Sequence, residues 1–151
     1  MNTDRTVREI MTTELVTVSP ERPAKDIQAL FRENEFHHIP VVDEGKRLVG
    51  IISKEDIFKL AYVLSLQTTG ETYSRKEYNT LKAEDIMTRY PVTLDPDDTI
   101  GLAADIFLAN KFHALPIVED GELQGIVTTH DLLGFGFSEA VAAKTEEAYE
   151  E

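Results

Sequence analysis

The sequence predicts a mixed fold of helices and strands, α+β in class with α/β-like alternation, made of two copies of one β-α-β-β-α unit. The segments from Ile10 to Asp56 and from Ile86 to Asp131 align with a single gap at Arg47, and 17 of the 46 paired positions are identical. In each copy, apolar residues recur first at helix spacing and then in short strand-like runs, in the same order. An internal repeat of this length indicates two similar structural units.

The first helix of each copy is predicted over residues 23–33 and 99–110, where apolar side chains recur at spacings of three and four. Very short extended segments, at residues 17–18 and 93–94, precede these helices. Pro23 suits a first helical turn, because its missing N–H leaves no hydrogen bond unmade there. Asn34 and Asn110 are expected to cap the C-terminal ends of the two helices.

Two strands and a second helix complete each copy. The strands are predicted over residues 39–42 and 48–52, and again over residues 115–118 and 123–127, each pair joined by a tight turn with glycine. Ser53 and Thr128 then begin the second helices, and short helical turns at residues 7–11 and 82–87 precede the copies. We therefore expect copies at residues 7–66 and 82–136, a linker at residues 67–81 and an acidic tail at residues 137–151.

The composition is that of a folded globular protein, with 42% hydrophobic and 28% charged residues. Copies of roughly 50 residues bury little apolar surface alone, so we expect the two to pack on each other. The absence of cysteine excludes disulfides and thiolate metal sites. The N-terminus lacks the apolar core of a signal peptide, and no apolar run is long enough to span a membrane. These features favour a cytoplasmic location.

The formal net charge of −13 excludes whole classes of partner. Nucleic acids and anionic membrane surfaces bind proteins by phosphate neutralisation, which this surface opposes. A small phosphate-bearing ligand stays compatible with the charge only where a local cluster of basic groups receives it.

Three motifs recur in the same order in both copies: Ile-Met-Thr, His-x-(Ile/Leu)-Pro-(Val/Ile)-Val and Gly-Ile-(Ile/Val)-(Ser/Thr)-x-x-Asp. Together they resemble the CBS domain in tandem, the CBS pair or Bateman module, over roughly residues 7–136. The resemblance implies two repeats packed sheet to sheet about a pseudo-twofold axis. It further implies a regulatory module whose two clefts bind AMP, ADP, ATP, S-adenosylmethionine or a related adenosine compound.

The resemblance also implies roles for particular residues, each beside a purely structural alternative. The ribose is assigned to the hydroxyl and carboxylate pairs Ser53, Asp56, Thr128 and Asp131. Their spacing equally fits an N-terminal helix capping box. The phosphate is assigned to His37, His38 and His113, which can equally be satisfied histidines at the edge of the core. The adenine is assigned to Val16, Val92, Ile51 and Ile126, which can equally be ordinary core.

The pseudo-symmetry of the family implies that each site draws on both copies. It pairs His113 with Ser53 and Asp56, and His37 with Thr128 and Asp131. Because Ala114 stands where the first copy has His38, the two clefts need not bind equally.

Two alternatives to nucleotide binding stay open. A Mg²⁺-responsive sensor would use clustered carboxylates such as Asp95, Asp97 and Asp98, although solvated loops explain such residues as well. A structural dimerisation module would leave both clefts empty. Catalysis is not expected, because the sequence has no metalloprotease histidine spacing, no nucleophile elbow and no phosphate-binding loop. Neither a resident metal nor a required cofactor is expected, although Mg²⁺ could accompany ATP.

The assembly predicted from the family is a homodimer that acts on a separate, unidentified regulated protein. It should bury the apolar faces of the second helices, which carry Ile57, Phe58, Leu60, Ala61, Leu132, Leu133 and Phe135.

Overall fold

The computed structural model describes residues 3–66 and 79–138. The helices are a 3₁₀ turn at Val7–Glu9, α1 (Ala24–Glu33), α2 (Lys54–Leu66), α3 (Ala83–Ile86), α4 (Ile100–Ala109) and α5 (residues 129–138). The strands are β1 (His38–Val42), β2 (Leu48–Ser53), β3 (Thr88–Arg89), β4 (Ala114–Glu119) and β5 (Glu122–Thr128). The α+β class is confirmed. The predicted first strand of each copy is reduced to a single bridge, Val18 to Val41 and Leu94 to Ile117, and β3 was not predicted.

The described residues form two compact units, each with its own apolar core. The first unit comprises residues 15–91 and 121–123, and the second unit comprises the remaining described residues. The core of the first unit consists of Val18, Ile27, Phe31, Ile39, Val41, Ile52, Ile57 and Ala83. The core of the second unit consists of Val7, Leu94, Ile100, Ala103, Phe107, Leu115, Ile117 and Val127.

Each core contains one residue from the helical turn that precedes the other copy in the sequence. Val7 belongs to the core of the second unit, where its N–H donates to the carbonyl of Asp98 at 2.8 Å. Ala83, its sequence equivalent, belongs to the core of the first unit and donates to the carbonyl of Arg22 at 2.8 Å. The compact units therefore exchange these turns, and neither unit is one continuous stretch of the chain.

Strand pairing follows the same exchange. In the first unit β1 and β3 flank β2, both antiparallel, with Thr88 opposite Ile51. In the second unit β4 and β5 pair, and Thr12 forms an antiparallel bridge to Ile126. Because Thr12 and Ile126 are the equivalents of Thr88 and Ile51, the Ile-Met-Thr segments complete the sheets of the two units in the same way.

The predicted asparagine caps are confirmed, but they work through the side chain. The Asn34 amide donates to the carbonyl of Leu30 at 2.8 Å, and the Asn110 amide donates to the carbonyl of Ile106 at 2.7 Å. Both asparagines have extended backbone, with φ of −134° and −130°. The two amides thus satisfy carbonyls that the last helical turn leaves without an intrahelical donor.

Four residues of the expected dimer face pack on the cores: Ile57, Phe58, Leu132 and Phe135, of which the last three are partly buried. Ile57 is only 1% exposed and lies in the core of the first unit, so the expectation that its side chain is exposed was wrong. The large apolar side chains exposed on α2 are Tyr62, Val63 and Leu66, and those on α5 are Leu133 and Phe137.

Parts of the predicted linker and tail, residues 67–78 and 139–151, lie outside the described residues. Within the described ranges, none of the helices has the length and apolar character that crossing a membrane requires.

Candidate functional site

The first candidate group lies where β2 ends and α2 begins. Ser53 is the last residue of β2, and its Oγ accepts a hydrogen bond from the backbone N–H of Asp56 at 3.1 Å. The hydroxyl therefore caps α2, as the alternative explanation of the motif predicted. The bond uses only the backbone of Asp56, and the Asp56 side chain is exposed.

The equivalent group in the second unit lies between β5 and α5, and it forms a complete capping box. The Thr128 hydroxyl accepts from the N–H of Asp131 at 3.1 Å, and the Asp131 carboxylate accepts from the N–H of Thr128 at 2.9 Å. Within the described chain, the Ser53 hydroxyl accepts from the N–H of Asp56, but the Asp56 carboxylate does not accept from the N–H of Ser53. One Asp131 oxygen is thus already engaged, and the Asp131 side chain is half-buried.

The histidines lie at these same helix starts. The backbone carbonyl of His37 accepts from the N–H of Lys54 at 2.8 Å, and that of His113 accepts from the N–H of Thr129 at 3.0 Å. Both imidazoles are exposed. His38 is half-buried in β1, directly opposite Ser53. Within each unit, the structure therefore brings a histidine next to the hydroxyl and carboxylate pair of that unit. The predicted pairing of each histidine with the opposite copy stays a prediction.

The four apolar candidates differ in accessibility. Val16 is 42% exposed and Val92 is 51% exposed, so neither valine is a buried core residue. Ile51 is half-buried in β2. Ile126 is only 6% exposed, and its backbone N–H and carbonyl both bond to Thr12, at 3.0 and 2.9 Å. Val16, Val92 and Ile51 can therefore present apolar surface to a ligand more readily than Ile126.

Each unit collects one complete set of the candidate residues. The first unit holds Val16, His37, His38, Ile51, Ser53 and Asp56. The second unit holds Val92, His113, Ile126, Thr128 and Asp131. Each set combines a hydroxyl, a carboxylate and a histidine at the start of a helix with apolar candidates of the same unit.

The acidic residues considered for Mg²⁺ serve as turn caps and in an ion pair. Asp95 Oδ1 accepts from the N–H of Asp97 at 2.9 Å, and Asp98 Oδ2 accepts from the N–H of Asp95 at 2.8 Å. The Asp97 carboxylate pairs with Arg8 at 3.2 Å. Across residues 3–66 and 79–138, no group of three or more potential metal ligands occurs.

Tyr90, which is not among the residues predicted for the site, has two unusual properties. Its side chain is 82% exposed, and its backbone has a φ of 47°, a conformation that aromatic residues rarely adopt. Its only signal in the sequence is that an aromatic residue stands where the first copy has Glu14.

Comparison with known proteins extends these observations. The family model described as CBS domain matches residues 7–62 and 83–137. A relative, protein MJ1225 of Methanocaldococcus jannaschii, is 31% identical over 133 residues, which cover 85% of this chain. The alignment spans 46% of that relative, so the chain matches about half of its length.

Two solved structures have the same fold. The structure of CBSX2, a CBS-pair protein from Arabidopsis thaliana, in complex with AMP has a TM-score of 0.76 and 27% identity, covering 90% of this chain and 98% of that one. The CBS domain pair of protein MJ0100, in complex with 5'-methylthioadenosine and S-adenosyl-L-methionine, has a TM-score of 0.71 and 25% identity, covering 89% and 97%.

Proposed function

The chain belongs to the CBS domain family as a tandem pair of repeats, and we propose from this that it is a cytoplasmic regulatory module that binds adenosine-derived ligands. The ligand class comprises AMP, ADP, ATP and S-adenosylmethionine. In this proposal the chain has no catalytic activity of its own. It binds the ligand through residues of both repeats, as the family resemblance implies, and acts on a separate partner protein.

The observation that best supports this proposal is the placement of Ser53 with Asp56, and of Thr128 with Asp131, at helix starts. A carboxylate held on a rigid first turn can accept hydrogen bonds from the two neighbouring hydroxyls of a ribose. The N-terminus of the 13-residue α2 favours nearby negative charge, so a phosphate is stabilised at the same place. The exposed imidazoles of His37 and His113 can donate hydrogen bonds to that phosphate.

The solved relatives support the ligand class. CBSX2 has been crystallised with AMP, and the MJ0100 domain pair with 5'-methylthioadenosine and S-adenosyl-L-methionine. All three ligands share adenine and ribose and differ beyond the 5' carbon. The repeated carboxylates suit this shared part, and the exposed surface of Val16 and Val92 suits the base.

The charge of the chain favours the ligand with fewer phosphates. Few basic residues are available among or beside the candidate residues to receive phosphate in a chain of net charge −13: His37, His38, His113, Lys54 and Arg89. The Arg89 guanidinium already donates to the carbonyl of Glu84 at 3.2 Å. In Mg²⁺-free buffer we therefore expect AMP to bind at least as tightly as ATP. A thermal-shift panel followed by calorimetric titration of both nucleotides measures this order. Tight ATP binding with negligible AMP binding would refute the charge argument.

We also propose that the module works as a homodimer. The exposed apolar side chains of Tyr62, Val63 and Leu66 on α2, and of Leu133 and Phe137 on α5, favour burial against a second copy. Cyclic dimers are the commonest symmetric assemblies. Light scattering at tens of micromolar protein should give twice the mass of the chain, and a monomer mass would exclude the dimer.

A further inference from the structure

We propose that Tyr90 is a base-stacking residue whose ring covers the adenine at the site that includes Ile51, Ser53 and Asp56, so that this site binds adenine nucleotides more tightly than its counterpart. The inference rests on the proposed function, and it adds a specificity-determining residue that the two copies do not share.

The backbone of Tyr90 is the first observation. Three non-glycine residues of the described chain have positive φ: Lys46, Asp120 and Tyr90. Lys46 and Asp120 lie in the tight turns between paired strands, where such values are needed. Tyr90 follows β3 outside any hairpin turn, and its bulky side chain makes a φ of 47° unfavourable. Strained residues of this kind concentrate at ligand sites.

The position of Tyr90 beside β2 is the second observation. Strand pairing places Thr88 opposite Ile51 and Arg89 opposite Gly50, and the N–H of Tyr90 donates to the carbonyl of Val49 at 3.3 Å. Tyr90 thus follows β3 beside Val49, two residues along β2 from Ile51, one of the apolar candidates for the base.

The exposure of the ring is the third observation. A side chain that is 82% exposed is not part of either apolar core, so packing does not account for an aromatic residue here. An exposed ring next to an apolar strand residue offers a face on which a purine can stack. The equivalent position in the other copy is Glu14, whose carboxylate cannot stack. The two sites should therefore differ in their affinity for the base.

Alanine substitution tests the inference through the chemistry of the ligand. Tyr90→Ala should weaken AMP binding at one of the two sites about tenfold, as loss of base–aromatic stacking does. Binding of ribose 5-phosphate, which has no base, should be unchanged. Leu108→Ala is the control, because Leu108 is a large apolar side chain on α4 that is 86% exposed and outside both candidate sets, and this variant should bind AMP like the wild type.

Tyr90→Gly separates a ligand role from a structural one. Glycine accepts a φ of 47° without strain, so this variant should be no less stable than the wild type while it binds AMP as weakly as Tyr90→Ala. A ring needed only for folding would instead lower the stability of both variants.

A fluorescence measurement reports on stacking directly. The chain has no tryptophan, so Tyr90→Trp and Leu108→Trp each introduce a single reporter. Saturating AMP should quench the fluorescence of Tyr90→Trp and leave that of Leu108→Trp unchanged. If wild-type protein binds AMP but Tyr90→Ala binds it equally well, or Tyr90→Trp is not quenched, the stacking role is wrong and nucleotide binding stands. If wild-type protein binds no adenosine compound, the proposed function itself fails.

Discussion

Replacing Gly50 by alanine should lower the free energy of unfolding by about 3 kcal/mol, a typical cost of overpacking a well-packed interior. A β-carbon on Gly50 would lie 3.0 Å from the Thr88 carbonyl oxygen and 2.7 Å from Cγ of Met87, and the sulfur of Met87 would be closer still. Met87 could move, but the carbonyl belongs to the backbone of β3. The substitution therefore forces β3 away from β2, and with it the turn that completes the first unit.

Gly125→Ala should have an equal effect in the second unit, where the added carbon would lie 2.9 Å from both the Met11 sulfur and the Thr12 carbonyl oxygen. Gly134→Ala is the control, since a β-carbon there has nothing within 4 Å. Because alanine favours helix more than glycine does, Gly134→Ala should stabilise the protein by up to roughly 1 kcal/mol. Urea unfolding followed by circular dichroism measures all three variants. Equal midpoints for Gly50→Ala and Gly134→Ala would show that the close approach of β3 to β2 is not required.

Asp56→Ala and Asp131→Ala should each weaken AMP binding at their own site at least tenfold, while only Asp131→Ala destabilises the protein. Each charge-assisted hydrogen bond to the ribose contributes roughly 1.5–3 kcal/mol, so losing both could exceed 100-fold. The cap of α2 uses the backbone N–H of residue 56, which alanine keeps. The cap of α5 also uses the Asp131 carboxylate, so its removal should cost about 1 kcal/mol of stability.

Calorimetry for affinity and urea unfolding for stability distinguish the two effects. Asp105→Ala is the matched control, because it removes one exposed negative charge from α4, outside either candidate set. If Asp56→Ala and Asp105→Ala bind AMP alike, the ribose assignment of Asp56 is refuted. If Asp131→Ala is as stable as Asp56→Ala, the difference between the two caps has no energetic consequence.

The local structure was predictable because it depends on neighbours along the chain. Helix spacing located α1 and α4 to within one residue at each end, with Pro23 and Thr99 as their N-caps rather than their first residues. The hydroxyl and carboxylate spacing predicted a capping box, which forms in full at Thr128 and Asp131. These features follow from hydrogen bonds within one turn of helix.

The exchange of the preceding turns was not predictable from the same patterns. Alignment assigns Val7 and Ala83 to the copies that follow them, whereas packing places each in the core of the other unit. Both are apolar residues in short helical turns, so either core would satisfy them equally. The path of the chain in space determines which core each residue joins, and the spacing of apolar residues does not encode that path.

The candidate site was predictable in its residue types and less so in its details. The repeated sequence named all eleven candidates, of which six lie in the first unit and five in the second. Their roles in ligand binding stay predictions. The sequence motif did not distinguish Asp56 from Asp131, because the side-chain conformation determines whether the carboxylate takes part in the N-terminal cap of the helix. Nor did it identify Tyr90, since positive φ at an aromatic residue has no sequence signature.

Adenine nucleotide binding is the central claim, and calorimetric titration of AMP into ligand-free protein tests it most directly. The titration should be made on the wild-type chain and on the double variant Asp56→Ala/Asp131→Ala under the same conditions. We predict saturable binding to the wild type and none to the double variant over the same concentration range. Absence of binding to wild-type protein at millimolar AMP, or equal binding to the double variant, would contradict it.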